Sequence, residues 1–166
     1  EAELSTRKTI ELKPNFADAH FNLGIILSKL GELKESEIAY LKAIELNPKN
    51  YEAYSNLGII LKDLGKLQEA ELSTRKSIKL NPKNYAAYSN LGNILKDLCN
   101  LKEAELSYRK AIELNPNCVE ANANLGNIFK DLGKLKEARL FSEKIMSIRP
   151  WSIMGSYTFN YEMILD

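Results

Sequence analysis

Apolar positions recur along the chain in two helical runs separated by a glycine. In residues 51–84, Tyr54, Leu57, Gly58, Leu61 and Leu64 share one face of a helix. Leu67, Ala70, Thr74, Ser77 and Ile78 share one face of a second. Gly65 lies between them, where a helix C-terminus favours positive φ. Glu69 and Glu71 precede Arg75, Lys76 and Lys79, an order that complements the helix dipole. Asn81-Pro82 ends the second helix, because a residue before proline is pushed out of the α region. Asn50 and Asn84 stand where the next first helices begin and predict N-caps there. No strand pattern occurs.

The same pattern returns every 34 residues. Pro14, Pro48, Pro82, Pro116 and Pro150 keep that step, as do Gly24, Gly58, Gly92 and Gly126. Gly31, Gly65, Cys99 and Gly133 form a third register. Residues 51–84 and 85–118 match without a gap at 24 of 34 positions, and a fixed period of this length signals a solenoid. A single helix pair cannot bury its own apolar stripe. Stacked pairs cover one another, so stability becomes a sum of neighbour interfaces.

Counting units from Ala17, Tyr51, Tyr85 and Val119 gives four repeats, 17–50, 51–84, 85–118 and 119–152. Residues 1–16 read as the second helix of an earlier, truncated repeat, since Glu1–Lys8 is identical to Glu69–Lys76. Residues 153–166 read as a capping helix or the start of the next segment. The apolar side chains toward this end include Trp151, Ile153, Met154, Phe159, Met163 and Ile164. At the other end Leu4 and Ile10 are expected to show an apolar stripe. Exposed stripes of this kind favour pairing between chains, so homo-association through the ends is expected.

These residues resemble the tetratricopeptide repeat family. Leu23-Gly24, Leu57-Gly58, Leu91-Gly92 and Leu125-Gly126 match its positions 7–8, and Ser36, Ala70, Ala104 and Ala138 match its small position 20. Tyr54 and Tyr88 match the aromatic at position 4, Tyr40 and Tyr108 the aromatic at position 24, and the prolines position 32. His20, Asn122, Thr74, Ser142 and Ile145 depart from the pattern. The resemblance implies an all-α, right-handed superhelical solenoid of antiparallel helix pairs. Asn-Leu-Gly-Asn with Lys-Asp-Leu-Gly is similar to the arrays preceding the sugar-transferase domain of O-linked N-acetylglucosamine transferases, and to many bacterial arrays. Pentatricopeptide units have 35 residues, so a step of 34 weighs against RNA reading.

The resemblance also implies that positions 2, 5, 6, 9, 12 and 13 line a concave groove. Position 6 holds a ladder of amides, Asn22, Asn56, Asn90 and Asn124. A carboxamide both donates and accepts, so it can pair with a peptide bond of any sequence. The rest of the expected peptide-binding surface is Asn93 and Asn127 at position 9, and Ser55 and Ser89 at position 5. Lys62, Lys96 and Lys130 at position 12 and Asp63, Asp97 and Asp131 at position 13 complete it. Ile25 and Ile59 hold position 9 in the first two units, so the groove should become more polar along the chain. One subclass clamps chaperone C-terminal carboxylates through basic residues at positions 2, 5 and 6. None stands there, and binding of such tails is not expected.

Composition narrows the rest. Net charge is +1, from 23 basic and 22 acidic residues, which disfavours a nucleic-acid surface. No apolar run approaches the roughly 18–20 residues that span a bilayer, and a start at Glu1-Ala2-Glu3 does not read as a signal peptide. Two cysteines make no disulfide framework, so a reducing, cytoplasmic setting is expected. Cys99 replaces a turn glycine. Either it takes the left-handed conformation or Asn100 does. His20 reads as a packing residue. No nucleophile–base pair or metal cluster is visible. The expectation is no cofactor, no enzyme activity and a protein or peptide partner. A substrate-recruiting arm of a larger enzyme, such as a glycosyltransferase, and a self-associating array are the alternatives.

Overall fold

The computed structural model describes residues 1–148, all of whose regular elements are helices. They are α1 (Ala2–Leu12), α2 (Ala17–Leu30), α3 (Leu33–Leu46), α4 (Tyr51–Asp63), α5 (Leu67–Leu80), α6 (Tyr85–Asp97), α7 (Leu101–Leu114), α8 (Val119–Asp131) and α9 (Leu135–Ile148). The segment from Trp151 onward, with its expected closing helix, lies outside the described residues.

Local chemistry sets the boundaries. Asn50 Oδ1 accepts the Ala53 N–H at 3.0 Å and Asn84 Oδ1 accepts that of Ala87 at 3.3 Å, so both predicted N-caps form. Gly31, Gly65 and Gly133 turn the chain between paired helices at φ 81°, 78° and 71°. At the fourth such turn Cys99 itself takes the left-handed conformation, at φ 60°. Asn100 stays at φ −89° and accepts the Glu103 N–H instead, capping α7. The second helices α3, α5 and α7 end at a leucine, Leu46, Leu80 and Leu114, before Asn-Pro.

Helices α2–α3, α4–α5, α6–α7 and α8–α9 pack as pairs, and each pair packs on the next. Ala53, Leu57 and Leu61 of α4 and Ala70 of α5 are buried together with Tyr40 from the preceding pair and Ile94 from the following one. Burying each leucine contributes about 1.5–3 kcal/mol, and part of that comes from a neighbouring pair. First helices touch along the stack, α2 to α4, α4 to α6 and α6 to α8. The backbones of the second helices do not touch one another. Long ion pairs bridge them, Lys66–Glu37 at 2.8 Å and Arg75–Glu103 at 2.6 Å. The stack therefore bends toward its first helices, which line the inner face.

The ends differ from expectation in one respect. Leu4 is 74% exposed, but Leu72 and Leu106, at the same position inside the array, are 71% and 65% exposed. Its exposure belongs to the position and not to a missing partner. Ile10 packs against Leu23, Leu27 and Ala39. Leu12 is where the end shows, exposed while Leu46, Leu80 and Leu114 are half-buried.

Candidate functional site

The inner face is built from helices α2, α4, α6 and α8. The amide ladder lies along it: Asn22 is exposed, and Asn56, Asn90 and Asn124 are half-buried. The four amides are not equivalent. Asn56 lies close to the Tyr40 hydroxyl of the preceding pair. Asn124 Nδ2 donates to Asn93 Oδ1 at 2.8 Å, and the Tyr108 hydroxyl donates to the same oxygen at 2.7 Å. Asn93 Nδ2 in turn donates to Glu120 at 2.8 Å. Asn90 has one long contact, Nδ2 to Ser55 Oγ at 3.5 Å.

This network changes the reading of several residues. Ser55 and Ser89 were expected on the groove surface, but both are buried. Position 5 lies three residues before position 8, about 60° round the helix from the buried stripe, and faces the neighbouring pair. Ser55 shows this directly, its Oγ accepting from Asn90 Nδ2 of the next pair at 3.5 Å. Asn93 and Asn124 hold each other as well as lining the groove. Asn127 is exposed. Lys62 and Lys96 are half-buried, whereas Lys130, Asp63, Asp97 and Asp131 are exposed. Lys62 pairs with Asp63 at 3.1 Å, a surface contact worth about 0–1 kcal/mol.

Residues that break the repeat pattern have structural work. His20 Nε2 donates to the Pro14 carbonyl at 2.8 Å. Asn122 Nδ2 does the same to Pro116 at 3.2 Å and to Cys118 at 2.8 Å. Both tie a helix start to the turn before it. Ser142 is exposed, and Phe141 packs in its stead, stacked on Phe129 with centroids 5.6 Å apart. A phenylalanine one position early was the available signal for that shift. The outer face carries a second regular feature, the exposed Ile38, Leu72, Leu106 and Leu140 at steps of 34. The same 34-residue register would have exposed it to sequence reading.

Burial raises the pKa of Tyr108 above the ordinary tyrosine value, with the nearby carboxylates of Glu120 and Asp97 adding to the shift. Burial raises that of Tyr40 too, against the lowering effect of the nearby Asn56 amide. A raised folded-state pKa means the fold favours the neutral phenol. Stability from these groups is complete below the unfolded value of about 10 and is lost as pH rises through it toward the folded values. Stability should therefore fall above about pH 10, by up to about 1.4 kcal/mol per pH unit for each phenol, and thermal melting points should fall with it. Tyr108→Phe should flatten that decline, as melts across this range would show.

Among the described residues, no helix is long and apolar enough to cross a membrane, and no three His, Cys, Asp or Glu side chains cluster as a metal site. Paired helices stacked in register, without strands among the described residues, define an all-α solenoid. Two family models, both described as tetratricopeptide repeat, match it: one at residues 17–50 and 85–118, the other at 39–71 and 107–140. The chain belongs to the tetratricopeptide repeat family. It is in that general sense a protein-interaction scaffold. No curated protein matches it significantly.

The fold is similar to a crystal structure of MamA, with a TM-score of 0.82 and 22% identity over 89% of this chain and 86% of that one. It is similar to MamA 41-end from Desulfovibrio magneticus RS-1, at 0.81 and 20% identity over 89% and 84%. Pseudomonas aeruginosa pilF matches at 0.80 and 22% identity, over 87% of this chain and 66% of that one. At these identities the likeness concerns the fold.

Proposed function

We propose that the chain holds an extended segment of a partner protein along its inner face. Carboxamides at successive first helices would pair with the segment's backbone. The observation that carries this reading is the placement of Asn22, Asn56, Asn90 and Asn124 in one row on the helices toward which the stack bends. The internal bond of Asn124 uses part of its capacity, since a carboxamide has two donor hydrogens and an acceptor oxygen. It also fixes that side chain in advance, which lowers the entropic cost of binding. Backbone pairing makes the groove tolerant of sequence, as suits a scaffold.

The test begins with peptides selected from a random display library on the intact chain. Asn56→Ala/Asn90→Ala/Asn124→Ala should bind each at least about tenfold more weakly, since three lost hydrogen bonds of about 0.5–1.5 kcal/mol exceed the 1.4 kcal/mol of one decade. Ile38→Ala/Leu72→Ala/Leu106→Ala, on the outer face, should leave those affinities unchanged. The reverse pattern, with the outer variant weakened and the inner one intact, overturns the reading.

A further inference from the structure

The pair α4–α5 lacks a side chain that its neighbours have. In the pairs before and after, Tyr40 and Tyr108 lie over a glycine of the first helix. A Cβ added to Gly24 would come within 2.7 Å of the Tyr40 ring, and one added to Gly92 within 2.5 Å of the Tyr108 ring. Each ring reaches the inner face tip first. The hydroxyl of Tyr108 donates to Asn93, and that of Tyr40 comes close to Asn56. The corresponding residue of α5 is Thr74. It is fully buried, and its Oγ1, beside Gly58, has no hydrogen-bond partner among the described residues. Threonine is too short to reach the inner face.

One group that could receive a hydroxyl is nevertheless present, Asn90. A step of 34 carries Asn56 to Asn90 and Asn93 to Ile59. Both line an open cavity of about 300 Å³ on the inner face, along with Asn93, Ile94, Lys62 and Glu120. Asn90 makes only its 3.5 Å contact to Ser55 among the described residues. At the rim Lys62 pairs with Asp63, and Glu120 accepts from Asn93. Half-buried Ile59 forms an apolar wall beside the uncharged Asn90 amide.

We infer that this cavity is a subsite for a tyrosine side chain of the bound segment, which supplies from outside the phenol that Tyr40 and Tyr108 supply from within. The ring lies against Ile59, and its hydroxyl pairs with the Asn90 carboxamide. A phenol donates and accepts, and a primary amide answers both. A purely aliphatic side chain would leave Asn90 without a partner. The inference rests on the groove reading above and assigns its specificity to one position.

The test uses p-cresol, the tyrosine side chain alone, titrated into the whole chain and followed by NMR. Saturable shifts are expected at the Ile59 methyls and the Asn90 side-chain amide, with a dissociation constant on the order of millimolar. Toluene, without the hydroxyl, should bind about fivefold more weakly. Thr74→Tyr should fill the cavity from within and abolish the p-cresol shifts, while its melting point stays at or above that of the parent. Absent or unsaturable shifts overturn the subsite, as does equal binding of toluene or undiminished p-cresol binding by Thr74→Tyr. If library-selected peptides still bind through the asparagines while p-cresol does not, the subsite fails and the groove reading stands. If the asparagine variant binds those peptides as well as the parent does, the groove reading fails with it.

Discussion

Replacing Tyr108 by alanine should cost the array about 3–5 kcal/mol, the usual loss when a large aromatic is removed from a core. Tyr108 is fully buried in a cluster that joins α6, α7 and α8 through Leu91, Ala111, Leu125 and Ile128. Its hydroxyl also anchors Asn93 and, through it, Asn124. In a linear stack the loss falls on one junction and is not shared by the whole. The pair α8–α9 should therefore lose hydrogen-exchange protection first, while α4 and α5 keep theirs. Tyr108→Phe, which keeps the ring, should cost about 1 kcal/mol. Exchange mass spectrometry with chemical denaturation measures both. A uniform loss of protection from α2 to α9 would mean that the pairs do not stack independently.

Gly92→Ala and Gly126→Ala should have opposite signs although both sit in the same Leu-Gly motif. A Cβ on Gly92 would lie 2.5, 2.7 and 2.8 Å from three atoms of the buried Tyr108 ring. That ring is hemmed in and hydrogen-bonded at its tip, so overpacking should cost up to about 3 kcal/mol. Alanine's helix propensity returns only about 1 kcal/mol of it. On Gly126 the nearest atoms are the Phe141 Cβ at 3.2 Å and the Ala138 carbonyl at 3.7 Å. A shift of a few tenths of an ångström relieves that contact, and propensity decides. Denaturant titration should show Gly92→Ala destabilised by about 1–2 kcal/mol and Gly126→Ala unchanged or slightly more stable.

The contrast shows what a repeat makes legible. The 34-residue step gave the helices, the turns at Gly31, Gly65 and Gly133, the Asn50 and Asn84 caps and the row of amides, because each depends on residues close in sequence. It did not give depth at the edge of a stripe. Ser55 and Ser89 sit beside the buried face, and only the neighbouring pair decides that they are covered. Nor did it show that Asn93 joins Tyr108 to Asn124, since that chain of hydrogen bonds crosses two units. Thr74 and Ser142 were both visible as departures from the tyrosine at position 24, yet their outcomes differ. Phe141 packs in place of Ser142, whereas nothing replaces the tip of the tyrosine missing at Thr74. That difference lies in packing between pairs, which no single unit records.

The most direct measurement of the groove reading is an NMR map of one library-selected peptide on the uniformly labelled chain. The account predicts that the largest shifts fall on the side-chain amides of Asn22, Asn56, Asn90 and Asn124, with the Leu72 and Leu106 methyls unmoved. Shifts centred on Ile38, Leu72 and Leu106, with those amides silent, would place the partner on the outer face and contradict it.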